Sequence, residues 1–270
     1  MKISVIITTY NRSELLKRAL QSVLSQRDDV EVIVIDDASS DDTEKFMGKF
    51  IADQPVVYLR QDKNRGVNTS RNISVQYAEG DWVAFLDDDD EFLQGAVEII
   101  KKKIKKVPED LNVLYFNSVI DNGRERIIGG FQFNGEEDHY DPTYDESMTK
   151  FNLKGDCKPV FRKSLFKDGK YMFPETVNGF ESYTMNLIAR DRKGIRYYKD
   201  KTTLVHFDDS VRHLSHTAPR KNPWPLLVLH ARQIPQHYKF YLRHPILFFD
   251  KIIVMIKLFI RSCRVKLSFN

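Results

Sequence analysis

Residues 3–7, 30–35, 56–60, 82–86 and 113–117 form short apolar runs, hydrophobic on what would be both faces of a strand, and stretches with helical spacing separate them. A strand that is apolar on both faces has to be covered on both. The pattern therefore predicts an α/β fold, a mostly parallel sheet with helices above and below. Helices are predicted over residues 13–25, where Leu15, Leu16, Ala19, Leu20, Val23 and Leu24 recur at helical spacing and Asn11 or Ser13 can cap the start, and over 43–51, 68–78 and 93–107. Farther on the pattern loosens. Residues 123–145 are rich in Gly, Asn and acids, as in irregular connections or short antiparallel strands; 158–163 reads as another strand and 181–190 as a helix.

The polar residues gather where these strands end, at Thr8 to Arg12, Asp36 to Asp42 and Asp87 to Glu91. Ligands of open α/β sheets bind at that carboxyl edge. The run Asp87-Asp88-Asp89-Asp90-Glu91 sets five carboxylates side by side. Their mutual repulsion gives a divalent cation with an anionic ligand a physical reason to bind there, while a solvated acidic turn is the alternative that this segment alone leaves open.

At 270 residues, 41% apolar and 30% charged, the chain has the composition of a folded protein, as one large α/β domain or a core domain with an appendage. Cys157 and Cys263 form no CxxC motif, which excludes a disulfide framework or a cysteine-rich metal centre and suits a reducing compartment. The N-terminus runs straight into a strand pattern without the apolar region of a secretion signal, so secretion is not expected. Charge is uneven: residues 211–270 hold eleven Lys and Arg against the single acid Asp250, a net of +10 within a chain of net +4. Pro219, Pro223 and Pro225 interrupt any helix before two predicted helical stretches, 226–237 and 246–263. Asp250, Lys251 and Lys257 argue against a membrane-spanning segment. Lys251, Lys257, Arg261, Arg264 and Lys266 suit a basic amphipathic helix lying on an anionic membrane surface; a helix packed on the core, or a partner helix in a homo-oligomer, is the alternative.

Residues 4–12 (SVIITTYNR), 34–41 (VIDDASSD), 64–72 (NRGVNTSRN) and 80–90 (GDWVAFLDDDD) resemble, in order, signatures of the family 2 inverting glycosyltransferases with the GT-A fold. The resemblance covers about residues 3–91. It implies a Rossmann-like GT-A sheet flanked by helices, with a C-terminal helical extension. It also implies a nucleotide-sugar donor, UDP-linked, bound through Thr8, Tyr10, Arg12, Asp36, Asp37, Gly66, Arg71, Asp87 and Asp88. Thr8 and Tyr10 would face the nucleoside, Asp37 would accept from the base with Asp36 fixing the loop, and Arg71 would approach the base or the diphosphate. Asp87-Asp88-Asp89 would be the DxD motif. Asp89 would be the ligand of Mn²⁺ or Mg²⁺ and Asp88 its neighbour toward the sugar, although the four-residue run leaves the register of these two open. The implied domains are 1–218, split at 117 into a nucleotide-sugar half and an acceptor-side half, and the basic extension 219–270.

An inverting transferase needs a carboxylate to take the proton of the attacking hydroxyl. The family supplies it from an acidic pair opening a helix, and the nearest match is Phe180-Glu181-Ser182, with Glu181 the candidate base, helix capping its alternative, and Asp156 and Glu175 in reserve. The pair is incomplete, which keeps a non-catalytic nucleotide-sugar-binding scaffold in view. His206 and His213, and less so His216, stand where the family places a histidine near diphosphate or metal. The basic amphipathic tail would hold the domain at the inner face of the cell membrane, a location that suits a glycan or lipid-linked glycan acceptor of bacterial surface polysaccharide or lipopolysaccharide synthesis. A nucleotidyltransferase fits less well, because Thr8-Thr9-Tyr10-Asn11-Arg12 has no glycine to cradle phosphate. Nucleic acid is not an expected partner: the tail's cations sit beside aliphatic residues and the acidic loops repel phosphate.

Overall fold

The computed structural model describes residues 2–26, 30–120, 126–128, 137–149, 157–177, 180–206 and 223–267. The first part alternates β1 (Ile3–Thr9), α1 (Ser13–Leu24), β2 (Glu31–Asp36), α2 (Thr43–Asp53), β3 (Val56–Arg60), α3 (Val67–Tyr77) and β4 (Trp82–Asp87). β5 (Glu91–Phe92), α4 (Ala96–Ile104), β6 (Val113–Ile120), β7 (Arg126–Ile128), β8 (His139–Tyr140), α5 (Tyr144–Thr149) and β9 (Lys158–Arg162) follow. Then come α6 (Ser182–Arg190), β10 (Ile195–Val205), α7 (Trp224–Gln236), α8 (Tyr238–Arg243) and α9 (Pro245–Leu267).

One sheet runs in the order β3-β2-β1-β4-β9-β6-β10-β5, with β7 on β6 and β8 on β10. β3, β2, β1 and β4 are parallel, β9 runs antiparallel between β4 and β6, and β10 is parallel to β6. Strand periodicity sends alternate residues to opposite faces. Ile3, Val5 and Ile7 of β1 pack with Leu16 and Leu20 of α1 and Ile100 of α4. Ile6, with Val83 and Phe85 of β4, packs on the other side with Val75 of α3 and Leu187 and Ile188 of α6. Burial of each such side chain contributes about 1.5–3 kcal/mol, which is why the apolar runs settle inside.

Three features differ from the sequence pattern. β10 is the long strand that the pattern does not show: Lys199, Asp200 and Lys201 break its alternation, and its register against β6 shifts between Tyr197, Lys201 and Thr203. α4 begins at Ala96, not 93, because Gly95 at φ 80 turns the chain just before it. α5 and α8 are six-residue helices too short to leave a periodic signal. α7, α8 and α9 form a helical layer docked on α5 and α6 through Tyr144–His237 and Phe180–His230 ring contacts and a hydrogen bond from Gln236 Nε2 to the Tyr183 hydroxyl of 3.1 Å. No helix among the described residues is long and apolar enough to cross a membrane.

Candidate active site

Thr9, Asp36 and Asp87 end β1, β2 and β4 at one sheet edge, and antiparallel β9 begins there with Lys158. Loops 8–12 and 37–41 are stitched together: the Asn11 amide donates to Ser39 Oγ at 2.8 Å and the Ser40 amide to Asn11 Oδ1 at 2.6 Å. Asp36, fully buried, accepts from the Ser39 amide and the Tyr58 hydroxyl, each at 2.8 Å, and so shapes the loop after β2. Asp37 accepts the amides of Arg65 (2.7 Å) and Gly66 (2.8 Å) and the Gln61 side chain (2.6 Å). Gly66 sits at φ 87 immediately before α3, a conformation that costs a side-chain-bearing residue. Asp37 thus holds the turn that launches α3, and its acceptor oxygens are engaged by that turn.

The aspartate run is divided among cations. Asp87 pairs with Arg71 at 2.7 Å and with Lys158 at 2.8 Å; burial opposes its ionisation, but these two cations outweigh it and hold the carboxyl well below the usual range. Asp88 accepts from Thr9 Oγ1 at 2.8 Å and from Arg12 at 2.9 Å. Burial is the larger influence on it and, helped by neighbouring Asp89, pushes it up to about 7 despite Arg12. Arg12 also reaches Asp89 at 3.0 Å, so one guanidinium spans both carboxylates. Asp90 pairs with Lys158 at 2.7 Å. Glu91 lies outside this set, with Arg18 at 3.1 Å and His206 Nε2 at 2.7 Å on the same oxygen. Tyr10 is exposed at the rim, and Thr8 stands opposite Asp87 in the β1–β4 register.

Glu181 comes to this edge from more than ninety residues away. Its Oε1 lies 2.6 Å from Arg71 Nη1, so Arg71 joins Glu181 to Asp87, and the Glu181 side chain keeps 42% of its exposure. Phe180, at φ 65, turns the chain into Glu181, and its ring packs on His230 of α7 at 4.9 Å. Left-handed φ at a bulky residue costs about 1–3 kcal/mol and persists only where surrounding packing imposes it. Upstream, Asn68 donates to the carbonyls of Pro174 and Val177, and Asn72 to that of Phe173 and to Glu175, tying the approach segment to α3. Glu175 is thereby committed to Asn72, while Asp156, His213 and His216 lie outside the described residues. Thr9, Lys158 and the backbone of Phe180 belong to the site without having been singled out in the sequence. A lone lysine heading an apolar strand, in Cys157-Lys158-Pro159-Val160-Phe161, is the signal that could have pointed to the second of them.

Among the described residues no three His, Cys, Asp or Glu side chains converge as a ready-made metal cage. Asp88 and Asp89 nevertheless offer adjacent hard carboxylates, the donor set of a Mg²⁺ or Mn²⁺ that takes its other ligands from water and a diphosphate. Their chemistry fits such a cation, with Arg12 on both carboxylates in this structure.

The model of the family described as "Glycosyl transferase family 2" matches residues 4–168. The chain belongs to glycosyl transferase family 2. A relative from Campylobacter jejuni, the GalNAc(5)-diNAcBac-PP-undecaprenol beta-1,3-glucosyltransferase, is 32% identical over 209 residues, covering 76% of this chain and 62% of that protein. The succinoglycan biosynthesis protein ExoO of Rhizobium meliloti is 27% identical over 188 residues, 68% of this chain and 54% of its own. The chain thus spans less than two thirds of these relatives' length. Among solved structures, S. aureus TarS 1-349 in complex with UDP-GlcNAc superimposes with a TM-score of 0.68 at 23% identity, over 87% of this chain and 67% of that one. The mannosyltransferase PcManGT of Pyrobaculum calidifontis, in complex with GDP-Man and Mn2+, gives 0.61 at 15% identity over 98% of this chain and 75% of its own. The family 2 chain has the GT-A fold.

Proposed function

We propose that this chain is an inverting glycosyltransferase that moves a sugar from a nucleotide donor, UDP-linked, to a hydroxyl of a lipid-linked glycan. The observation that carries the reading is the Asp87–Arg71–Glu181 bridge, which delivers an accessible carboxylate to the edge where the donor-binding motifs end. In this reading Glu181 takes the proton of the acceptor hydroxyl as its oxygen bonds to the anomeric carbon. The bond from that carbon to the diphosphate oxygen breaks, and its electron pair leaves with the diphosphate, so configuration inverts. Arg71 orients Glu181 at that edge. Asp89, with Asp88 beside it, would hold Mn²⁺ or Mg²⁺, which would supply charge neutralisation for the leaving group. Thr8, Tyr10 and Asp37 border the nucleoside.

Residues 1–218 serve as the catalytic domain, with donor binding in 1–117 and acceptor binding in 118–218. Residues 219–270 lay α9 on the inner face of the cell membrane. The Campylobacter relative's name supports an acceptor carried on a lipid, and the cations beside the exposed apolar face of α9 support the membrane. The test compares UDP-, GDP- and dTDP-sugars with Mn²⁺ present and chelated, in wild type, Asp89→Ala and Glu181→Gln. Asp89→Ala should weaken metal-dependent donor binding by at least about tenfold. Glu181→Gln should leave donor binding intact and lower transfer by about 10²–10⁴-fold. Full transfer by Glu181→Gln would remove the base from the mechanism.

A further inference from the structure

On the sheet edge opposite the aspartates, a cleft of about 810 Å³ opens between α5, the carboxyl end of α6, the start of β10, and α8. Arg190, Arg192, Lys193, Lys239 and Arg243 line it, against one carboxylate, Asp145. Arg190 pairs with Asp191 at 2.8 Å and Arg243 with Asp145 at 2.5 Å; Arg192, Lys193 and Lys239 make no ion pair among the described residues. The same cleft is lined by His237, which is 2% exposed. Its Nδ1 lies 2.6 Å from the Tyr144 hydroxyl, and its Nε2 is buried without a hydrogen-bond partner.

Burial, with Arg190 and Lys251 nearby, lowers the His237 pKa to about 4, so the ring is neutral near pH 7. Burial also pushes Tyr144 ionisation up, so the phenol keeps its proton, and in the tautomer where it donates to Nδ1 the ring proton sits on Nε2. In that tautomer a histidine that lines the cationic cleft carries a buried donor lacking an acceptor. A multi-oxygen anion answers both needs. The cleft also borders apolar surface. On α8, Tyr238 and Leu242 form one exposed row, and Lys239 and Arg243, also four residues apart, form the neighbouring row.

We propose that this cleft binds the phosphate or diphosphate of an anionic lipid headgroup, held by Lys193, Lys239 and the Nε2 donor of His237. The proposal rests on the reading that the C-terminal helices meet a membrane, and deepens it by assigning a headgroup site. α6 separates the cleft from Glu181 by nine residues, about 14 Å, so the phosphate held there is not the donor's.

Full-length protein is floated with phosphatidylcholine vesicles with and without phosphatidic acid, and titrated calorimetrically with inorganic diphosphate. Lys193→Glu/Lys239→Glu changes two exposed side chains and spares the fold; His237→Phe removes the donor without changing charge at neutral pH. Both variants should lose phosphatidic-acid binding by about tenfold or more and bind diphosphate more weakly, with phosphatidylcholine binding unchanged. Diphosphate binding that both variants lose, without any change at vesicles, supports the phosphate site and assigns it to a soluble phosphate. Wild-type binding to diphosphate and to phosphatidic acid in both variants overturns it. Sugar transfer is read separately: its absence with phosphate binding intact would sink the transferase reading and leave the cleft standing.

Discussion

Arg71 is where the two halves of the candidate site meet, and its guanidinium, 5.7 Å from the Phe85 ring and 5.9 Å from that of Phe173, is largely withdrawn from water. Arg71→Met leaves Asp87 with Lys158 alone and lets Glu181 swing free. Breaking a buried pair of this kind costs about 3 kcal/mol. The variant should therefore unfold at lower urea concentration and lose at least about a hundredfold in initial rate, a larger loss than orientation-neutral destabilisation produces. The sign of the pH effect follows from Asp87. Its folded carboxyl is held below its unfolded value, so it contributes stability above the ordinary carboxylate range that is lost as pH falls. Without Arg71 that loss begins at higher pH, and acid titration of the circular dichroism signal should show the midpoint moving upward. Four carboxylates in a row are tolerated because three cations from elsewhere in the chain, Arg12, Arg71 and Lys158, reach them.

At the scale of elements, the helical layer of α7 and α8 is the part most sensitive to mild acid. His230 and His237 are both lowered to about 4, chiefly by burial, with Lys251 adding to each. A histidine whose folded pKa lies below its unfolded value of 6.5 stabilises the fold above that value and loses its contribution as pH falls from about 6.5 to about 4. Each should cost on the order of 1–2 kcal/mol across this window once solvent screening is allowed for. Hydrogen exchange of α7 and α8 amides should therefore accelerate between pH 6.5 and 4 while β1, β2 and β4 stay protected; equal protection of both regions would contradict it. The consequence reaches the site, because His230 packs on Phe180 and Phe180 turns Glu181 toward Arg71.

For the whole molecule, the uncovered surface is on α9. Ile246, Phe249, Ile253, Ile256 and Ile260 recur at three- and four-residue spacing and stay exposed, while Ser262 and Lys251 face the protein, Lys251 hydrogen-bonded to Gln233. Lys257, Arg261 and Arg264 border the apolar row, the arrangement of a helix lying in an anionic interface. Phe249→Asp/Ile253→Asp should abolish co-sedimentation with anionic vesicles and change folding stability by less than about 0.5 kcal/mol, because both sites are solvent-facing. Retained sedimentation in that variant would show that the exposed row of α9 does not bind vesicles.

How much of this was legible beforehand depended on whether the relevant contacts were local. The strands β1 to β4 and β6, the helices between them and the acidic strand ends could be read directly, because burial on both faces and helical spacing are imposed within a dozen residues. Asp36 as a loop anchor and the family's order of motifs were equally readable. β10 was not, since its strand character comes from pairing with β6 while its own middle is charged. Nor was the partition of the aspartate run, where Thr9, Arg12, Arg71 and Lys158 decide which carboxylate is held and which is pushed up. Sequence alone determined the strands β1 to β4 and β6 and the edge where chemistry gathers. Tertiary structure decided which cation meets which carboxylate, that Glu181 joins Asp87 through Arg71, and that a cationic cleft opens at the far end of α6. Those are contacts between residues tens to more than a hundred positions apart, and no local pattern encodes the distance between them.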